Sequence, residues 1–140
     1  MKDCLIIGPA YCFHYNNVFP LLVKKKLQVG LWTVNTWVNK KSHNGYAWFT
    51  TLQVNRPEEK KLKLTKTYNE QDYQRYDNYD AIESTSKDVP VDYDGLIGVP
   101  ISFLKYYPYF DYDILEKRGD LKLNGKQLFQ RLIIQKKNYK

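Results

Sequence analysis

The sequence predicts an α/β fold of the α+β kind, a mixed β-sheet with few helices. Three observations carry that expectation. Apolar residues come in short continuous runs rather than at helical spacing. Those runs are rich in β-branched and aromatic residues and are bounded by Gly, Pro, Asn and Asp. Asn124-Gly125, set between two short apolar stretches, is the strongest hairpin signal in the chain. At 140 residues, the chain suits one domain spanning 1–140.

The elements follow in order. Cys4-Leu5-Ile6-Ile7 is a continuous apolar run ended by Gly8-Pro9, and reads as a strand buried on both faces and then broken. Asn16 or Asn17 is expected to cap a short helix carrying Val18, Phe19, Leu21, Leu22 and Val23. Pro20 falls in its first turn, where proline is tolerated, and Lys24 to Lys26 complement the dipole at its C-terminal end. An extended stretch from Leu27 to Val38 holds Trp32 and Trp37; Asn39 to Gly45 is turn-like; Tyr46 to Val54 is a good strand. Arg56-Pro57 breaks it, and Leu62 to Tyr68 alternates as a half-exposed strand would. From Asn69 to Asp94 hydrophobicity drops, as in a long ordered loop, and such loops in small domains are often functional. Gly98-Val99-Pro100 leads into a helical turn through Phe103 and Leu104. Tyr112 to Lys117 and Leu128 to Gln135 are strands. The expected core is Leu5, Ile7, Phe19, Leu22, Trp48, Phe49, Ile97, Phe103, Ile133 and Ile134.

A chain of this size can bury roughly two-thirds of its unfolded surface, enough for a core without staples. Its two cysteines, Cys4 and Cys12, are too few for a disulfide framework, so free thiols in a reducing cytoplasm are expected. The N-terminal apolar stretch is too short for a signal peptide and no window approaches a membrane span, so no membrane partner is expected. Net charge is +7. A basic balance favours a polyanion such as nucleic acid, or an acidic protein face, although solvated lysines account for it equally well.

Enzyme motifs are sparse. No GxGxxG, P-loop or Gly-x-Ser-x-Gly elbow occurs, and the Gly95/Gly98 pair reads as a turn. Cys4, Cys12, His14 and His43 lack the paired spacing of a zinc site, so no metal is expected. No residue is nominated as catalytic. Asp72, Asp77, Asp80, Asp92 and Asp94 are numerous enough for magnesium binding or acid–base work, or for a solvated loop of Asx-turns. Around them Tyr68, Tyr73, Tyr76 and Tyr79 interleave with Arg75 and Asn78. Aromatic faces beside a cation and an amide are materials for base stacking and base-edge reading, and also for core packing. The candidate residues for nucleic-acid or partner binding are Arg75, Tyr76, Asn78, Tyr79 and Tyr93, with Lys60 and Lys61 for phosphates.

The loop also carries a resemblance. Tyr76-Asp77-Asn78-Tyr79-Asp80-Ala81-Ile82, followed by the run from Val89-Pro90-Val91-Asp92-Tyr93-Asp94-Gly95 through Phe103-Leu104, resembles the C-terminal signature of the EcoRI-type adenine-specific DNA methyltransferase family. Leu5-Ile6-Ile7-Gly8 with Val18-Phe19-Pro20-Leu21, Trp48-Phe49-Thr50-Thr51-Leu52, and Asn124-Gly125-Lys126 with Arg131-Leu132-Ile133-Ile134 resemble that family's later segments in the same order. The resemblance implies the C-terminal part of a class I methyltransferase fold, S-adenosylmethionine as the family's donor, and the adenine amino group of DNA as acceptor. It also implies an Asn-Pro-Pro-Phe catalytic motif ahead of the matched segments, and this chain contains no Asn-Pro. No cofactor is therefore expected on this chain alone. Three readings stay open: a non-catalytic or partner-requiring module that binds nucleic acid or a partner subunit; a stand-alone inhibitor of the phage or mobile-element, anti-defence kind; and a small enzyme using the Asp/Tyr loop.

Overall fold

The computed structural model describes residues 2–38, 41–53, 62–106 and 111–138, in two units, Met1–Asn55 and Arg56–Lys140. In the first, β1 (Leu5–Pro9), a 3-10 segment (Ala10–His14) and α1 (Phe19–Val23) precede a long pair of strands, β2 (Gln28–Val38) and β3 (Lys41–Thr50). All pairing is antiparallel, in the order β1-β3-β2, with Ile7 opposite Trp48 and Val29 opposite Phe49. The first strand is clipped to the end of β3. The Cys4 amide donates to Thr51 Oγ1 at 2.9 Å, and the Cys4 carbonyl accepts from Thr50 Oγ1 at 2.8 Å and from the Thr51 amide at 3.1 Å. Val29, Ala47 and Phe49 are buried, as are Leu22 of α1 and Leu27.

Several expectations are corrected here. β1 is an edge strand rather than a doubly covered one: Leu5, Ile6 and Ile7 are 59%, 54% and 46% exposed, and Trp48 is 39% exposed. A continuous apolar run signals two covered faces only when neighbours exist on both. α1 has no asparagine cap; Val18 occupies that position without a side-chain bond. The Tyr15 carbonyl accepts from the amides of Val18 at 3.0 Å and Phe19 at 2.9 Å, so those donors are satisfied by main chain instead. Pro20 does sit in the first turn, and Lys24 is the C-terminal cap. Strand β3 begins at Lys41, so the polar segment from Lys41 to Gly45 pairs in the sheet rather than forming a turn. Ladder bonds formed by long antiparallel pairing outweigh the weak strand preference of Ser, Asn and Gly.

In the second unit β4 (Ile82–Glu83), β5 (Ile97–Pro100), β9 (Arg131–Lys136) and β6 (Tyr112–Arg118) form one sheet in the order β4-β5-β9-β6, parallel only between β4 and β5. β7 (Lys122–Leu123) and β8 (Lys126–Gln127) make the expected hairpin, with Asn124 and Gly125 both at positive φ as an Asn-Gly turn requires. β9 lies between two strands, and its Leu132, Ile133 and Ile134 are buried on both faces, against Val99, Gly98 and Ile97 of β5. A bulge in β6 between Ile114 and Glu116 leaves Leu115 over, and its side chain is exposed. A 3-10 segment (Ile101–Lys105) buries Phe103, whose ring meets Tyr112 edge-on at 5.9 Å. Residues 62–68 form no strand, although Leu62 and Leu64 alternate inward as expected; single bonds, such as Val91 amide to Lys66 carbonyl at 2.9 Å, hold the segment. Phe19 is half-buried, so of the expected core Leu22, Phe49, Ile97, Phe103, Ile133 and Ile134 are inside. Among the described residues no helix is long and apolar enough to cross a membrane.

Candidate nucleic-acid interface

The tyrosine loop is built on the hairpin. The Asp77 carboxylate accepts from the amides of Asn124 at 3.2 Å and Gly125 at 2.7 Å, and the Asp77 amide donates to the Lys122 carbonyl at 2.9 Å. Asn78 mimics a strand: its Oδ1 accepts from the Lys122 amide and its Nδ2 donates to the Asp120 carbonyl, both at 2.9 Å. The two residues between Tyr76 and Tyr79 therefore clamp the loop to a turn more than forty residues away. The flanking tyrosines share one cluster but differ in burial: Tyr76 lies inside it and Tyr79 packs half-buried against it.

Tyr76 turns inward and is 5% exposed, in a cluster with Ala81, Leu121 and Ile133. Its hydroxyl donates to Glu83, which is held by Arg131 through two nitrogens at 3.1 Å. The ring occupies space left by Gly98, where a Cβ would lie 1.9 Å from the Tyr76 hydroxyl. Burial, then the Glu83 carboxylate, raises the Tyr76 pKa above the ordinary phenol value. The surface role expected for Tyr76 is thereby corrected: its faces are spent on packing. The Gly98 that reads as a turn glycine is a strand residue whose missing side chain makes that room.

Arg75, Tyr79 and Tyr93 come together instead. They line an open groove of about 460 Å³ with Asp80, Leu96 and Gln135. Arg75 pairs with Asp80 at 3.0 Å, and the phenol oxygen of Tyr93 is the main influence raising its pKa, ahead of Tyr68 and Asp80. Tyr79 donates its hydroxyl to Glu116 and carries the Arg118 guanidinium over its ring at 4.6 Å. The Glu116 bond, then burial, raises its pKa. Arg118 is itself gripped by Asp120 at 3.0 and 2.6 Å. Tyr93 packs on Tyr68 with ring centroids 4.4 Å apart, and Tyr68 stacks in turn on Tyr73 at 5.7 Å. Gly95 lets the Tyr93 ring fold back on bare main chain, since a Cβ there would lie 2.6 Å from the ring. Asn78 is exposed but fully engaged with the hairpin, and Lys60 and Lys61 lie outside the described residues.

Sequence reasoning did not find Asp80, Leu96, Gln135 or Arg118 as neighbours of this groove. Gln135 is forty residues from Gly95, and the pairing of β5 with β9 and the Gln135 amide bond to the Asp94 carbonyl bring them together, so no local signal existed. The aspartates do not converge: among the described residues no group of three or more His, Cys, Asp or Glu is placed to hold a metal. Asp77 holds the hairpin, Asp80 holds Arg75, and Asp92 accepts the Tyr68 amide at 2.6 Å. Cys4 and Cys12 are unbridged.

A second surface lies in the first unit. Leu5, Ile6, Ile7, Tyr11, Tyr15, Tyr46, Trp48 and Leu52 are eight of the ten large hydrophobic residues found exposed among the described residues. Ile7 and Trp48 are paired neighbours on one sheet face, and Leu5 and Tyr46 share that face by the alternation of the strands. The outer edge of β1 has no partner strand among the described residues. Charge is divided as well: residues 1–55 hold six Lys or Arg against one acid, Asp3, whereas residues 56–140 hold sixteen against fourteen.

No solved structure matches significantly. Type II methyltransferase M.EcoRI of Escherichia coli is 40% identical over 166 residues, covering 97% of this chain and 51% of that protein. M.MgeORF184P of Mycoplasma genitalium is 29% identical, covering 96% of this chain and 57% of its own length. M.MpnI of Mycoplasma pneumoniae is 28% identical, with coverage of 97% and 57%. The chain thus spans about half the length of the curated relatives it matches. The profile of the adenine-specific methyltransferase EcoRI matches residues 32–139, and with the M.EcoRI identity this settles the matter: the chain belongs to the EcoRI-type adenine-specific methyltransferase family.

Proposed function

We propose that this chain is the non-catalytic part of an adenine-specific DNA methyltransferase, the C-terminal part of its class I fold, and that it works by completing the catalytic part. The observation that carries this is the apolar face and bare strand edge of the first unit. Leu5, Ile7, Tyr46 and Trp48 stand exposed together on one face of the sheet, and a grouped apolar face of this kind marks an interaction surface. An unpaired edge with β-branched residues is a template for another strand. About half of each relative's length lies outside the match, and that portion, on the same or another polypeptide, is the occupant of this surface.

The residues described here do not fit a methyl donor. Donor binding calls for a glycine-rich turn and a carboxylate open to ribose hydroxyls. No such turn occurs, Asp77 and Asp92 already accept hydrogen bonds from main-chain amides, and the exposed Asp80 carboxylate is paired with Arg75 at 3.0 Å. The chemistry of transfer is left to the other part.

Mixing this chain with the portion of M.EcoRI that the match leaves out tests the reading. The chain alone transfers no methyl group from S-adenosylmethionine to duplex DNA, and the mixture does. Ile7→Asp and Trp48→Lys each abolish co-elution on size exclusion. A mixture that stays as two separate species sinks the proposal.

A further inference from the structure

The hairpin turn of the second unit carries a reactive pair of its own. In an Asn-Gly step the glycine nitrogen readily reaches the side-chain amide before it, because glycine has no Cβ to keep the two apart. The chain contains two such steps, Asn44-Gly45 and Asn124-Gly125. Asn124 and Gly125 are both exposed, so water reaches them. Yet this turn is pinned at each group that would react. The Gly125 amide donates to Asp77 Oδ2 at 2.7 Å, the Asn124 amide to Asp77 Oδ1 at 3.2 Å, and Asn124 Nδ2 to Gln74 Oε1 at 3.3 Å.

The carboxylate does more than hold the turn. It opposes loss of the Gly125 amide proton, since a second negative charge would form beside the first. The attacking nitrogen is therefore both tied and shielded, in a turn with both residues at positive φ. Attack needs the clamp to open, and a reaction that proceeds from an opened state follows the population of that state.

We propose that Asn124 is a self-modification site, which forms isoaspartate when the Asp77 clamp opens and which the clamp then no longer accepts. First the Gly125 nitrogen bonds to Asn124 Cγ, the Cγ–Nδ2 bond breaks, and ammonia leaves with the Gly125 amide proton. Water then adds across one C–N bond of the cyclic imide, giving isoaspartate or aspartate. Isoaspartate lengthens the main chain within the turn and sets a new carboxylate beside Asp77. The short turn between β7 and β8 accommodates neither the added length nor the like charge. Asp77 and Asn78 thereby lose the partners that fix the tyrosine loop.

Peptide mapping of the full chain after incubation at mildly alkaline pH, scored by mass and by the separate elution of isoaspartyl peptides, tests this. In urea Asn44 and Asn124 react at comparable rates, which makes Asn44 the internal reference. In the folded chain Asn124 reacts about tenfold or more slowly than in urea, the population factor of a locally opened turn. Asp77→Ala speeds Asn124 in the folded chain by about 5–30-fold, as loss of the acceptor for two amides predicts, and leaves its rate in urea unchanged. The isoaspartyl form, separated by ion exchange, shows faster hydrogen exchange at the Asp77 and Lys122 amides than the fresh chain. Three results overturn the proposal: a folded chain in which Asn124 reacts as fast as in urea, aspartate formed without isoaspartate, or an isoaspartyl form that exchanges like the fresh one. Where Asp77→Ala fails to fold, Gln74→Ala frees only the Asn124 side chain and takes its place; an unchanged rate in the folded variant rejects the clamp.

Discussion

Gly98 and Tyr76 meet so closely that each fixes the other. The Tyr76 ring sits where any side chain at position 98 would stand, and from there its hydroxyl reaches Glu83. Gly98→Ala must push the ring out, at a cost of about 1–3 kcal/mol for overpacking, and would expose a tyrosine that is now buried. A lowered urea midpoint together with brighter solvent-quenchable tyrosine fluorescence is the expected result. Ile133, buried opposite Gly98 in β9, gives the reverse case. Ile133→Ala leaves a void and is expected to cost roughly 2–5 kcal/mol, read from the same urea midpoint. An undetectable shift would contradict its place in the core.

Among the elements, the hairpin of β7 and β8 is too short to stand by itself. Asp77 and Asn78 supply what it lacks, by bonding its turn amides and its strand main chain from the tyrosine loop. Loop and hairpin therefore order each other. Asp77→Ala removes the acceptor for two amides and is expected to cost roughly 1–2 kcal/mol. Hydrogen exchange at Asn124 and Gly125 should accelerate more than exchange in β9, since the loss is local. Equal acceleration throughout the second unit would show that the clamp is global instead. The strand β1 shows the opposite arrangement, an element held at one edge and open at the other.

For the molecule as a whole, buried phenols predict an alkaline limit. Burial raises the Tyr112 pKa from 10.0 to about 12, helped by Asp111, and raises that of Tyr76 in the same direction. A raised phenol stays protonated in the folded state while the unfolded chain ionises near 10.0. The associated stability is therefore fully present below pH 10.0, and for Tyr112 it is lost as pH climbs towards about 12. Urea midpoints should hold constant from neutrality to 10.0 and fall beyond it, and the fall should shrink in Tyr112→Phe. The charge division belongs to this scale too. With its basic surplus in residues 1–55, any salt-sensitive binding to a polyanion is expected from the first unit rather than from the tyrosine groove.

Features that depend on chain neighbours alone were legible without the fold. The Asn124-Gly125 turn, the strand through Leu132–Ile134 and the helical turn at Phe103 are local patterns, fixed by turn chemistry and side-chain periodicity, and the family signature from Tyr76 to Leu104 is a residue-by-residue match. Tertiary structure decided which faces are covered. Leu5-Ile6-Ile7 and Trp48 are as apolar as Ile133, yet they lie exposed on an edge strand because burial needs a second surface that no local pattern reveals. Tyr76 and Tyr79, three positions apart, differ in burial for the same reason: Asp77 and Asn78 are claimed by a hairpin more than forty residues later, and Tyr76 lies inside the buried cluster while Tyr79 packs half-buried against it at the groove.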